Sequence, residues 1–136
     1  MKKTSPKSNI EWKYWGEHDL LFGVAAWQGK EKSVGGGWTD NDFYNLGKSD
    51  WEDFLNHWEK YGVRKESIVE IGCGAGRLTK HMALTFEKVI GLDVSDGMIS
   101  YAKKKCQEEK NVEFILIDGV KIPIDDNTIS AVFSSE

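Results

Sequence analysis

Three glycines spaced two apart, Gly72, Gly74 and Gly76, follow an apolar run, Ile68-Val69-Glu70-Ile71, and two further carboxylates, Asp93 and Asp118, stand directly behind later apolar runs. Glycines at this spacing let a backbone turn tightly and approach a ligand with no Cβ in the way. Both hydroxyls of a ribose can donate to one carboxylate, so an acid about 20 residues beyond the first glycine suits an unphosphorylated nucleoside. Asp93 follows Gly72 by close to that interval. A pyrophosphate-binding dinucleotide loop wants glycines at its first, third and sixth positions. Here the sixth is Arg77, and the last glycine comes one residue early at Gly76. Glu70, two residues before Gly72, would repel a pyrophosphate yet can pair with a ligand amino group. The pattern points away from NAD. Asp93 and Asp118 would also suit a divalent metal, but no third hard ligand is identifiable, which ranks Mg²⁺ below adenosine and leaves no metal site assigned.

These groups need strands and helices to hold them. Ile68, Val69 and Ile71 supply the β-branched surface of a strand buried on both faces. Arg77 to Phe86 reads as a helix, with Leu78, Met82 and Phe86 recurring every fourth residue and its N-terminal N–H groups aimed back at the loop. Lys88 to Asp93 gives a second strand ending in a carboxylate, and Ser95 caps a helix whose buried side includes Met98 or Ile99, Ala102 and Cys106. Val112 to Ile117 is a third strand, followed at once by Asp118 and Gly119, and Ile129 to Phe133 is a fourth. Upstream, Ser49 and Glu52 form a capping-box pattern that predicts a helix over Ser49 to Tyr61, closed by Gly62. Gln28 to Gly47 reads as a long, pliable connection with at most short helices, and residues 1–10 as a disordered tail.

The stretch around Gly72 resembles the first motif of the class I S-adenosylmethionine-dependent methyltransferases, an acidic residue followed by Gly-x-Gly-x-Gly after a strand. Val94-Ser95-Asp96-Gly97-Met98 and Asp118-Gly119 resemble the family's next two motifs, in the same order along the chain. The resemblance implies S-adenosyl-L-methionine as cofactor and S-adenosyl-L-homocysteine as product. It implies that Glu70, Gly72, Cys73, Gly74 and Gly76 form the cofactor loop, that Asp93 meets the ribose, and that Val94 and Met98 flank the adenine. Asp118 would accept from the adenine amino group, and the Gly119 N–H would meet a ring nitrogen. Residues 122–133 resemble the family's Leu-Pro-Phe-x-Asp-x-x-Phe-Asp stretch, with Ile129-Ser130 in place of the last Phe-Asp. That departure bears on the start of the fourth strand more than on the cofactor.

The fold implied is α/β, a Rossmann-like parallel sheet with flanking helices, which in its complete form has strand order 3-2-1-4-5-7-6. This sequence reaches the fourth strand. Residues 63–136 would be the cofactor-binding half domain, preceded by an aromatic-rich helical segment over 11–62 that in this family often serves as a lid. Three accounts of the exposed fourth strand are open: part of a longer enzyme, which is the favoured one, cover by the N-terminal region, or pairing of two chains into a homodimer.

Composition narrows the partners. With 22 acidic and 18 basic residues the formal charge is -4, which argues against capture of nucleic acid and leans toward a small-molecule methyl acceptor. No run approaches the ~20 apolar residues of a membrane span, so a soluble, cytoplasmic protein is expected. Cys73 and Cys106 lack metal-type spacing, and neither suggests a disulfide or a nucleophile. All six tryptophans precede residue 60 and are read as packing. His18, His57 and His81 are read as surface or packing residues, so no catalytic residue is assigned. Two rival functions stand beside the methyltransferase: a non-catalytic module that binds S-adenosylmethionine or S-adenosylhomocysteine, and, ranked lower, a nicotinamide oxidoreductase.

Overall fold

The apolar runs form four parallel strands, and the computed structural model, which describes residues 7–135, places them in one sheet of order β3-β2-β1-β4. They are β1 (Ser67–Ile71), β2 (Lys88–Asp93), β3 (Val112–Leu116) and β4 (Ala131–Ser134). Ile71 lies opposite Leu92 on one side and Ser134 on the other, so the C-terminal ends of the inner strands are level and their following loops gather along one edge. The helices are α1 (Lys7–His18), α2 (Leu20–Val24), α3 (Asp40–Glu59), α4 (Thr79–Met82) and α5 (Asp96–Lys105). This is the Rossmann-like α/β sheet with flanking helices expected from the sequence.

One face of the sheet carries the main core. Ile68, Val89 and Phe133 pack there with Trp51 of α3 and with Leu78, Met82 and Phe86. Phe133 meets the rings of Phe54, Trp58 and Trp51 at centroid distances of 5.0, 5.7 and 5.9 Å, which accounts for two of the tryptophans as packing. The core continues under α5, where Cys73, Ile99, Ala102 and Cys106 surround Phe114. On the opposite face Val69, Ile90 and Leu92 are covered by Ile117, Ile124 and Ile129 of the connection after β3.

Several local expectations are corrected. α3 begins at Asp40, not Ser49, because Thr39 is the effective cap: its Oγ1 accepts from Asp42 N at 3.1 Å, and Asp40 and Asp42 suit the positive end of the helix. Gly47, read as connection, is inside that helix, where a Cβ would lie 2.2 Å from Arg77 O. The connection before α3 is tied rather than pliable. Lys32 N donates to Asp19 Oδ2 and Trp38 Nε1 to Ala25 O, both at 2.8 Å, and a Cβ on Gly36 would lie 2.0 Å from Gly29 O.

The helix expected over Arg77 to Phe86 shrinks to the single turn of α4, although Leu78, Met82 and Phe86 keep their buried side. Turns take the rest, and Asn111 Nδ2 donates to the carbonyls of Ala83 and Phe86 beyond its end. A helix that short offers the loop no terminal field of consequence. β4 starts at Ala131, two residues late, where Ser130 N donates to Ser67 Oγ instead of joining the ladder. Finally, α1 begins at Lys7, inside the expected tail; residues 1–6 of that tail lie outside the described residues.

Candidate cofactor site

A cavity of about 460 Å³ opens at the C-terminal ends of the strands, within the ~300–1,000 Å³ range of small-molecule sites. Its floor is the loop after β1. Leu92 O accepts from Gly72 N at 2.8 Å and Cys73 N at 2.9 Å, which ties this loop to the end of β2. Gly72 and Gly74 have φ of 77° and 54°, in the left-handed region where glycine is favoured. A Cβ on Gly72 would meet nothing within 4 Å, so the backbone there faces open space.

Asp93 closes one side. Its Oδ2 accepts from Gly74 N and its Oδ1 from Ser95 N, each at 2.9 Å. Only 8% of the residue is exposed, and it borders the cavity. A carboxylate has about four acceptor positions, so two remain for hydroxyl donors. Val94 and Met98 continue this wall; Met98 is positioned by the start of α5, where its N donates to Ser95 Oγ at 3.3 Å. Gly119 adjoins Val94, whose Cγ1 a Cβ on it would approach to 3.2 Å, in a turn held by Asp118 Oδ1, which accepts from Val120 N at 2.8 Å and Lys121 N at 2.9 Å.

Of the ten residues singled out in the sequence, Gly72, Gly74, Asp93, Val94, Met98 and Gly119 border the cavity. Glu70, Cys73, Gly76 and Asp118 are not among its lining residues. Glu70 lies beneath the loop, 3% exposed, with Oε1 accepting from Thr79 Oγ1 at 2.8 Å and Oε2 without a hydrogen-bond partner. Burial pushes its carboxyl up to about 8, against the opposing effects of the Thr79 bond and the Arg77 charge, and with the like charge of Asp93 adding to the rise. Cys73 is buried, and burial holds its thiol well above the ordinary range, which agrees with a packing residue. Gly76 makes room for α5 and β3: a Cβ there would press on Cys106 Sγ and Phe114, each at 3.2 Å.

Other lining residues stand outside the sequence motifs. Ile71 and Ser134 are the last residues of β1 and β4, positions that the end-of-strand rule could have supplied. Asn9 and Trp12 of α1 and Val24 of α2 have no local signature, and Asn9 fell in the expected tail. No histidine borders the cavity: His81 bonds Tyr44 O through Nε2 at 2.8 Å, and the His18 ring stacks on Tyr14 at 4.0 Å. Among the described residues no cluster of His, Cys, Asp or Glu is arranged to hold a metal ion, and no helix is long and apolar enough to cross a membrane.

A family model described as a methyltransferase domain matches residues 68–136, the stretch that contains all four strands except the first residue of β1. The chain belongs to this methyltransferase-domain family. Curated relatives include malonyl-[acyl-carrier protein] O-methyltransferase of Yersinia pestis, 32% identical over 68 residues, which are 50% of this chain and 24% of that protein. Phosphoethanolamine N-methyltransferase of Triticum aestivum is 25% identical over 137 aligned positions, covering 99% of this chain and 25% of that protein. Among solved structures, phosphoethanolamine N-methyltransferase 1 of Haemonchus contortus, in complex with phosphoethanolamine and S-adenosylhomocysteine, superposes with a TM-score of 0.69 at 20% identity. It covers 93% of this chain and 24% of that one, a likeness of fold that includes the N-terminal helices. This methyltransferase domain thus spans about a quarter of the length of these relatives.

Proposed function

We propose that this chain is the cofactor-binding part of an S-adenosylmethionine-dependent methyltransferase whose acceptor is a small molecule. The observation that carries the reading is the joint geometry of Gly72, Gly74 and Asp93: a left-handed loop whose Gly72 faces open space, tied through Gly74 N to a carboxylate that keeps two acceptor positions. The residues present fit an adenosyl cofactor. Asp93 would hold the ribose, Val94 and Met98 would flank the adenine, and the Gly119 backbone would meet its edge. Gly72 and Gly74 would accommodate the amino-acid part.

Bound there, the cofactor supplies a methyl group already activated by its sulfonium. The chain's own contribution is placement. Asp93 orients the sugar, Leu92 O and Asp93 Oδ2 fix the loop, and apolar Ile71, Val94 and Met98 exclude water. Glu70, Cys73, Gly76 and Asp118 act from behind, setting the shapes of the loop and of the turn after β3. Asn9, Trp12 and Val24 make the N-terminal segment a cover over the site. The acidic charge and the phosphoethanolamine named for two of the similar proteins favour a small acceptor over nucleic acid.

Calorimetric titration of the 136-residue chain with S-adenosylhomocysteine, with NADH in parallel, tests this. Saturable binding of the first alone is expected. No binding by a folded chain, or binding of NADH instead, would overturn the reading.

A further inference from the structure

α1 has three aromatic side chains, Trp12, Tyr14 and Trp15, and no fully buried residue. An isolated helix of 12 residues is marginal in water, so its position depends on a few anchors. Two of them lie at its ends. Near the start, Asn9 Nδ2 donates to Asp118 O at 3.3 Å and stands against Gly119, 2.7 Å from where a Cβ would be. Near the finish, Gly16 packs so closely on the cap of α5 that a Cβ would lie 2.1 Å from Ser95 Oγ, while a Cβ on Gly97 would lie 2.3 Å from Gly16 O.

Asn9, Trp12 and Gly16 are three and four residues apart and share one face of the helix. Trp12 therefore lies along the helix between its anchor at the Gly119 turn and its anchor at the cap of α5, above the adjoining Val94 and Gly119 assigned to the adenine. Its side chain borders the cavity together with Val94 and Gly119, and the residue is 41% exposed. A lone exposed aromatic is ordinary on a protein surface. This one sits on a helix anchored on both sides of it, beside a cavity that it helps to line, and is partly exposed rather than packed away.

We propose that Trp12 is an adenine-covering residue of this site, its indole stacking on the base, with Asn9 and Gly16 setting the height of α1 above it. The proposal rests on the adenosyl-cofactor reading. Base–aromatic stacking removed by alanine substitution typically weakens binding by roughly 5- to 150-fold.

The test titrates the 136-residue chain and its Trp12→Ala and Trp12→Phe variants with S-adenosylhomocysteine by calorimetry, and follows tryptophan emission in parallel. Expected are saturable binding by the unsubstituted chain, a loss of that size in Trp12→Ala, and recovery to within a few-fold in Trp12→Phe. Stacking should also lower indole emission on ligand addition, and this drop should vanish in Trp12→Phe, which keeps the other five of the six tryptophans. A chain that binds no S-adenosylhomocysteine sinks the cofactor reading itself. Binding by the unsubstituted chain with Trp12→Ala within twofold of it overturns only the role of Trp12, as does an emission drop that persists in Trp12→Phe. Should Trp12→Ala not fold, the emission of Trp12→Phe alone decides.

Discussion

On the floor of the cavity, Gly74 and Ser95 donate to the two oxygens of Asp93, and Leu92 O accepts two loop N–H groups, so the loop is tied to the end of β2 and that end to the segment after it. Across the cavity, the roof helix α1 buries no side chain fully and reaches the turn after β3 through a bond from Asn9. The floor grows out of the sheet and shares its core. The roof meets that core at its margin. Residues of the floor therefore serve both stability and ligand placement, whereas those of the roof serve mainly the second.

Breaking the sheet should have the largest effect. Phe133→Ala removes a ring enclosed by Trp51, Phe54 and Trp58 and is expected to lower the unfolding free energy by ~3–5 kcal/mol in chemical denaturation. On the roof, Ile10→Ala, at a residue 59% exposed, should stay within ~0.5 kcal/mol. Equal losses would erase the distinction between the two regions.

Asp93→Ala joins stability to binding. It should weaken S-adenosylhomocysteine by ~1–3 kcal/mol in titration, and it should lower the melting temperature by leaving the N–H groups of Gly74 and Ser95 unpaired. An unchanged affinity would remove Asp93 from the ribose.

The floor has one weak point, Glu70, and it is read against pH. Its carboxyl, raised from an ordinary 4.5 to about 8, keeps a proton in the folded chain that the unfolded chain releases. The unfolded state then binds fewer protons between those values, so stability from this group is full below 4.5 and declines as pH rises toward 8. Glu70→Gln should abolish that decline and melt higher than the unsubstituted chain at a pH above 8. Parallel pH profiles for the two chains would mean that the carboxyl is not held uncharged.

A smaller effect should come from Gly16→Ala, whose methyl group would overlap the Oγ of buried Ser95 and lift the helix. Melting should fall by about 1 kcal/mol equivalent, while hydrogen exchange along α1 accelerates. Unchanged exchange would show that Gly16 does not anchor the roof.

The same division separates what was legible in the sequence from what was not. β1, β2 and β3 are spelled by consecutive β-branched and apolar residues, and the glycines and Asp93 follow at intervals fixed by the local geometry of a strand, a turn and a helix. Ser95 announced its own cap, as its bond from Met98 N bears out. Ser49 and Glu52 carry an equally good capping pattern, yet Thr39 starts the helix earlier and leaves Ser49 exposed in its interior. A local pattern does not state which of two caps is used. The length of α4 was illegible for another reason: Asn111, about 25 residues away, satisfies carbonyls that a longer helix would have bonded itself. Asn9 and Trp12 were out of reach because contacts far apart in sequence, Asn9 with Asp118 and Gly16 with Ser95 and Gly97, bring α1 to the site.

The connection after β3 has two jobs within a few residues. Ile117, Ile124 and Ile129 cover Val69, Ile90 and Leu92, while Gly119, Val120, Lys121 and Ile122 border the cavity. Its freedom to change length is correspondingly unequal. An insertion between Ile117 and Ile124 would shift either the apolar cover or the cavity wall out of place, because both are counted from the same strand end. At the exposed tip, Asp125 to Thr128, added residues would displace neither. Drift in length over generations should therefore accumulate at that tip, with the segment before it held to a fixed count.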